Sequence, residues 1–294
     1  MKCIICGGKD YKLVKKGVRD NPLINVVKCN YCSHHQLFPV PESHKINEIY
    51  DNDKQVKSIY EVIDVDAIRV KSITDTERRV ELTKKYITSK ESRVLDVGTG
   101  YGFFVNIMKR YGYDIEGLEI GNERRKIAER MCNKPIYSYN LLEDVPVAEL
   151  LKYEVITMFQ MLEHITDIEL FLCNARELLQ TQGKIIIEVP NLKDHMLSIS
   201  EEYKEFFWQE AHISYFSPEM LNQVLTRSGF KDIHIFGVQR YSIENMFHWS
   251  LNKKPQIYST SYNTADAFSW IDEYYKNELV KELKSDTIIA VAYK

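Results

Sequence analysis

Residues Val94–Phe104 read V-L-D-V-G-T-G-Y-G-F-F. A short apolar run enters glycines at 98, 100 and 102, then passes into a helical pattern with Phe104, Ile107 and Met108 on one face. A strand–glycine turn–helix sequence of this kind lets backbone approach a ligand closely and aims helix N-terminal amides at it. The reading of the whole chain grows outward from this turn.

Downstream, β-branched runs alternate with amphipathic stretches. Strands are predicted at Arg93–Gly98, Asp114–Ile120, Pro135–Tyr139, Tyr153–Phe159, Lys184–Val189, Lys231–Phe236 and Asp286–Tyr293. Between them fall helical patterns at Glu123–Met131 and after Asp167, where Ile168, Phe171, Leu172, Ala175, Leu178 and Leu179 share a face. Ser217-Pro218 reads as an N-cap with proline at the first helical position, and Gly229 as the stop. This alternation predicts a doubly wound, seven-stranded Rossmann-like α/β sheet. Five units follow: a cysteine module over 1–45, a helical linker or lid over 46–90, the core over 91–236, a helical insert over 237–285, and a last core strand over 286–294. The insert carries Ile243, Met246, Phe247 and Leu251, then Phe268, Ile271, Tyr275 and Leu279, at helical spacing. Insertions in such loops often help to build a substrate pocket.

Bulk composition narrows the function classes. With 294 residues, 44% apolar, 28% charged and a net charge of -3, the chain has the makeup of a globular protein with no electrostatic bias toward nucleic acid. No apolar run approaches the ~20 residues a membrane-spanning helix needs, and the N-terminus lacks a secretory apolar region, so the expected setting is cytoplasmic. Self-association is compatible with everything in the sequence.

Four of the six cysteines form two pairs, Cys3/Cys6 and Cys29/Cys32, with 22 residues between the pairs. In a reducing compartment such pairs point to metal rather than disulfides, and four thiolates close a tetrahedral shell, so the expectation is a structural Zn2+. His34 and His35 are alternative ligands. Cys132 and Cys173 stand alone in helical stretches and read as small buried hydrophobes.

The glycine turn admits two nucleotide cofactors. A dinucleotide fingerprint, G-x-G-x-x-G, needs glycine at 103, where Phe103 stands. G-x-G-x-G preceded by Asp96 instead resembles the first motif of class I S-adenosylmethionine-dependent methyltransferases. Glu119, 19 residues beyond Gly100, matches the acid that holds the ribose hydroxyls in that family. F-Q-M-L-E-H-I, Phe159–Ile165, is similar to the family's fourth-strand segment. The resemblance implies S-adenosyl-L-methionine as cofactor. It places Asp96, Gly98, Thr99, Gly100 and Gly102 around the methionine end, Leu141 or Leu142 at the adenine, and Gln160 and Met161 facing the methyl donor. It also implies an antiparallel hairpin closing the sheet at its C-terminal end.

The cysteine module sharpens the resemblance. C-N-Y-C-S-H-H-Q-L-F-P-V-P, Cys29–Pro41, is similar to the module of zinc-containing sugar C-methyltransferases and of bacterial methyltransferases associated with surface polysaccharides. This implies a small-molecule acceptor, a sugar or other polysaccharide precursor carrying a nucleotide or phosphate. F-F-W-Q-E-A-H-I-S-Y-F-S-P, Phe206–Pro218, sets five aromatic rings around Glu210 and His212. It lies between two strands, where it would overhang the ligand-binding end of the sheet. Histidine suits proton abstraction near neutral pH, so His212 is the expected general base, with Glu210 orienting it and Tyr215 contacting the acceptor. In the sugar C-methyltransferases glutamate and histidine are adjacent at this point. Here Ala211 separates them, which puts O-methylation at least level with C-methylation. His164, Arg240, Tyr241 and His248 are the expected substrate contacts. A non-catalytic scaffold is the alternative from another class, disfavoured by the intact glycines and Glu119; a nicotinamide-dependent oxidoreductase is the third reading, disfavoured by Phe103.

Overall fold

A computed structural model describes residues 2–41, 64–143, 152–256 and 269–294. The N-terminal module forms β1 (Tyr11–Lys15), β2 (Asn25–Cys29) and β3 (His35–Phe38), paired antiparallel in that order. After helix α1 (Val65–Lys84), the core runs through β4 (Val94–Val97), α2 (Phe103–Arg110), β5 (Ile115–Leu118), α3 (Asn122–Cys132) and β6 (Tyr153–Phe159). It continues with α4 (Ile168–Leu178), β7 (Leu179–Pro190), the short helices α5 (Met196–Ile199) and α6 (Glu201–Phe207), and β8 (Ser214–Tyr215). Then come α7 (Pro218–Arg227), β9 (Lys231–Val238), α8 (Ile243–Asn252), α9 (Ser269–Lys281) and β10 (Thr287–Tyr293).

The central sheet has the order β5-β4-β6-β7-β10-β9 among the described residues. Its first four members are parallel and β10 is antiparallel to both neighbours, so the C-terminal antiparallel pair is present. Strands β6, β7 and β10 are apolar on both faces because helices cover each side, which explains their unbroken hydrophobic runs. Local signals define the helices well. Asp167 accepts from the Leu170 amide and Ser217 from the Met220 amide, with Pro218 opening α7.

Several expectations are corrected. The sheet has six strands rather than seven: Pro135–Tyr139 contributes a single parallel bridge, Leu118 to Tyr137, held by bonds of 2.8 and 2.9 Å. Pro135 has no N–H to extend the ladder, and a turn begins at Asn140, whose carbonyl accepts from the Glu143 amide. The helical linker or lid expected over 46–90 is helical in its described part, as α1, with Thr76, Val80 and Thr83 buried. Residues 46–63 and Phe268 lie outside the described residues. Cys132 is buried, but Cys173 is exposed. Helix α8 buries Asn245 and Trp249, while Phe247 and Leu251 face outward, the reverse of the expected face. The cause is Trp249, whose ring packs against Tyr203 at 5.2 Å and Phe206 at 5.4 Å.

The cysteine module is joined to the core rather than standing apart. β8 adds to the module's sheet beside β3, pairing His35 with Tyr215 and Gln36 with Ser214. The Leu37 amide donates to the Ile213 carbonyl and the Arg19 amide to the Trp208 carbonyl. Cys3, Ile5 and Cys29 belong to the same buried cluster as Phe216 and Leu221.

Candidate active site

The ends of β4, β5 and β6 converge at the glycine turn. Gly98 has φ 79°, and a Cβ there would lie 2.6 Å from the Met161 side chain, so the close approach of these two turns demands glycine. Gly102 also has positive φ, but its neighbours are Ala128 and Cys132 of α3, each 3.0 Å from a Cβ placed there. Its role is to let α2 pack on α3. Beside Gly100, by contrast, a Cβ would meet nothing within 4 Å. This stretch of backbone faces open space, as a cofactor cradle requires.

Glu119, buried after β5, ties the cradle together. Its Oε2 accepts from the Gly100 amide and its Oε1 from the Gly121 amide, both at 2.8 Å. A carboxylate has about four lone-pair directions, a capacity that suits accepting from ribose hydroxyls as well as from backbone amides. Asp96 is buried at the turn's base, where its Oδ1 accepts from the Thr157 hydroxyl at 2.7 Å. Burial raises its carboxyl to about 6 against the opposing pull of Thr157 and Thr99. The Thr99 hydroxyl donates to the Asp96 carbonyl. Leu141 is buried in the core, leaving the partly buried Leu142 as the more available of the expected adenine contacts. The residues that follow, 144–151, lie outside the described residues.

Gln160 follows β6 with φ 56°, its amide nitrogen donating to the Glu188 carbonyl. Glu188 is a residue the sequence reasoning missed. It is fully buried in β7 and receives Arg78 at 2.8 Å and Arg79 at 2.5 Å, both from α1. Burial would raise its carboxyl, but the two guanidinium groups hold it down at about 2. The signal available in the sequence was a lone glutamate inside K-I-I-I-E-V, an acid that an apolar strand can bury only with partners.

Beyond Gln160 opens a cavity of about 340 Å³. His212, Arg240, Tyr241, Tyr203, Phe206 and Trp249 are among its walls, and Arg19 reaches it from the cysteine module. His212 is buried, and burial first, then His164 and Arg19, push its imidazole well below the usual histidine range. It is therefore neutral near pH 7. The Gln209 amide nitrogen lies 2.8 Å from His212 Nε2, while Gln209 Oε1 accepts from Arg19 Nη2 at 2.8 Å. Since arginine only donates, that contact fixes which end of the Gln209 amide faces His212.

The other expected residues scatter. Glu210 is separated from His212: its Oε1 accepts from Asn21 Nδ2 at 2.8 Å, and its amide donates to Asp20. It fastens the module to the core instead of orienting a base. The Tyr215 hydroxyl is exchanged with the Gln209 backbone, and this buried ring does not line the cavity. His248 does not line it either; its Nδ1 sits 3.3 Å from Asn252 Nδ2. Arg240 does line it, but is ion-paired to Asp286 at 2.6 Å. His164 lies behind His212, with ring centroids 5.0 Å apart and its Nδ1 2.5 Å from the Ala211 carbonyl. Burial takes it to about 4.

Glu163 completes a buried trio with these two histidines, their donor atoms lying within 4.8 Å of one another. The set has the composition of a cation site. As described, neither Glu163 carboxyl oxygen has a hydrogen-bond partner, and burial raises the group to about 8. Between its ordinary 4.5 and about 8, the folded chain holds a proton that the unfolded chain has released, so stability falls as pH rises across that window. Thermal melts of Glu163→Gln are expected to match the wild type at low pH and to exceed it by several degrees at the top of the window. Parallel melting profiles across the window would contradict this account of Glu163.

A glycine cradle, a ribose-competent acid after the second strand and a cavity beside the fourth define a doubly wound α/β enzyme using a nucleoside cofactor. The family model described as a methyltransferase domain matches residues 73–235, and the chain belongs to that family. It is an S-adenosylmethionine-dependent methyltransferase. The ubiquinone biosynthesis O-methyltransferase of Coxiella burnetii is 22% identical over 181 residues, covering 58% of this chain and 77% of that protein. The human mitochondrial ubiquinone biosynthesis O-methyltransferase is 25% identical over 175 residues, covering 54% of this chain and 47% of that protein. Among solved structures, the magnesium protoporphyrin IX methyltransferase of Synechocystis PCC 6803 with bound SAH superposes with a TM-score of 0.55 at 14% identity, covering 86% of this chain and all of that one. A SAM-dependent methyltransferase from Archaeoglobus fulgidus gives 0.51 at 19% identity, covering 74% and 92%. These two likenesses concern the fold.

The four cysteines of the module also converge. Cys3 and Cys32 Sγ are 3.6 Å apart and Cys6 and Cys29 Sγ 3.5 Å, close to the roughly 3.8 Å edge of a tetrahedral sulfur shell built on Zn–S bonds of about 2.3 Å. The donor set fits that metal. His34 Nδ1 stands 3.8 Å from Cys3 Sγ and His35 Nδ1 bonds the Ser33 carbonyl. Among the described residues no helix is long and apolar enough to cross a membrane.

Proposed function

We propose that this methyltransferase transfers the methyl group of S-adenosylmethionine to a hydroxyl of a small molecule, with a sugar or other surface-polysaccharide precursor as the acceptor class. The observation that carries the reading is the shared Gln160–Met161 turn. Met161 packs on Gly98 of the cofactor cradle, and Gln160 lines the cavity, so donor and acceptor compartments meet at one point. Methyl transfer is an in-line displacement, and this geometry supplies the positioning it needs. Neutral His212 can accept a proton once the Gln209 amide gives up its bond to Nε2. Glu210 is engaged by Asn21 rather than paired with His212, which favours a hydroxyl over a carbon nucleophile as acceptor. The O-methyltransferase names of the relatives support the same choice. A phenolic acceptor is the second reading, favoured by the aromatic walls of Phe206, Trp249 and Tyr241. A structural zinc in the Cys3, Cys6, Cys29 and Cys32 cluster holds the module that completes the cavity.

Calorimetry with S-adenosylmethionine, followed by turnover on nucleotide sugars and on catechols, tests the proposal. His212→Ala is expected to lower kcat by a factor on the order of 10² to 10⁴, the usual range for a lost general base, with donor affinity unchanged. A chain that binds no S-adenosylmethionine would overturn the reading, as would full turnover in the variant for the role of His212.

A further inference from the structure

Resting on the reading of this cavity as the acceptor site, we infer that Arg19 of the cysteine module is the residue that recognises an oxyanion group, phosphate or carboxylate, on the acceptor. Among the described residues lining the cavity, the formally charged ones are Arg19, Arg240 and Asp286. Arg240 and Asp286 neutralise each other at 2.6 Å, with Asp75 a further 3.9 Å partner of Arg240. Arg240 therefore has little charge left to offer a ligand. Arg19 is different. Its described acceptors are both neutral: Nη1 donates to the Phe206 carbonyl at 3.0 Å and Nη2 to Gln209 Oε1 at 2.8 Å. Asp20, next in the chain, is exposed and accepts from the Glu210 amide; its charge acts on Arg19 only through space, across solvent-exposed surroundings, not through an ion-pair contact.

Three features make this a built anion site. The guanidinium is clamped, lying 4.2 Å above the Phe206 ring, and its own backbone amide is bonded to Trp208. Among the described residues two of the five N–H donors are used, both on neutral carbonyl groups, and the guanidinium lines the cavity. The planar fork that remains matches a phosphate or carboxylate edge. Finally, the same Gln209 that holds Arg19 contacts His212, so an anion seated on the guanidinium is placed at a fixed distance from the reacting end of the cavity. The cysteine module thus supplies a specificity element, which explains why its sheet is continuous with β8 of the core.

The test uses the full chain and two small probes, inorganic pyrophosphate and benzoate, with Trp249 fluorescence and calorimetry as readouts; S-adenosylhomocysteine is titrated in parallel. Arg19→Gln is expected to weaken binding of at least one probe about tenfold or more, the cost of a lost charge-assisted contact, while the S-adenosylhomocysteine affinity stays at the wild-type value. Arg19→Lys, which keeps the charge but not the fork, should fall between the two and serves if the glutamine variant does not fold. The stronger probe tells a phosphate-bearing acceptor from a carboxylate-bearing one. Equal probe affinity in wild type and variants would overturn the inference, as would failure of both probes to bind the wild type up to about 10 mM. Loss of S-adenosylhomocysteine binding in the wild type would instead sink the methyltransferase reading and leave the anion result standing.

Discussion

Replacing Glu119 with alanine is expected to abolish measurable cofactor binding, weakening it by about a hundredfold or more. Two effects combine. The variant loses the carboxylate expected to accept from the ribose hydroxyls, where a charge-assisted bond contributes about 1.5–3 kcal/mol. It also releases the amides of Gly100 and Gly121, which the carboxylate holds at 2.8 Å from opposite sides of the cradle. The glycine turn then loses part of its fixed shape: Gly98 stays bonded to the Leu118 carbonyl, but Gly100, also at positive φ, gives up the bond that its amide makes to the carboxylate. Glu119→Gln separates the two contributions. The amide keeps one acceptor and turns an NH₂ group toward one of the two backbone N–H donors, so it should bind S-adenosylhomocysteine better than alanine and worse than wild type. Calorimetry measures both. Wild-type affinity in the alanine variant would remove Glu119 from the cofactor site.

How far each feature could be read from the sequence depended on how local its cause is. The caps at Asp167 and Ser217 involve a side chain and an amide three residues on, so both were legible to the residue. The glycine turn was legible because positive φ and close approach leave their mark as glycine itself. The third strand was not, because its length depends on what β5 can pair with, and only Tyr137 finds a partner. The inward face of α8 was misread because Phe247 and Leu251 looked like a core stripe, whereas the aromatic surface of α6 selects Trp249. Within the candidate site, Glu119 binds the glycine turn and Gln160 and His212 line one cavity, while Glu210 is drawn to Asn21, a partner 189 residues away. Arg19 carried no signal at all. It becomes a cavity wall only because β3 and β8 pair across the whole chain, a contact that neither segment advertises.

Removal of the zinc proposed for the module is expected to abolish turnover while sparing the cofactor cradle. A unit of some forty residues rarely stands on its apolar core alone, and metal is one of the usual remedies. Structural zinc in small peptides contributes on the order of 10–16 kcal/mol to folding, more than the stability of most domains. Here Cys3 and Cys29 are also buried in the core cluster, so stripping the metal leaves unpaired thiols packed against Phe216 and Leu221. The unfolded module takes with it Arg19, the pairing of β3 with β8, and the Asn21–Glu210 latch. His212 and Gln209 then lose their supports, and one side of the cavity opens. Glu119, Gly98 and Gly100 belong to β4, β5 and the turns after them, and Glu119 binds the Gly100 and Gly121 amides within the core. Metal analysis of the wild type should find about one zinc per chain, and Cys29→Ser close to none. The variant should bind S-adenosylhomocysteine within a few-fold of wild type but methylate no acceptor. A metal-free wild type that turns over normally would show that the four sulfurs serve something other than holding this wall in place.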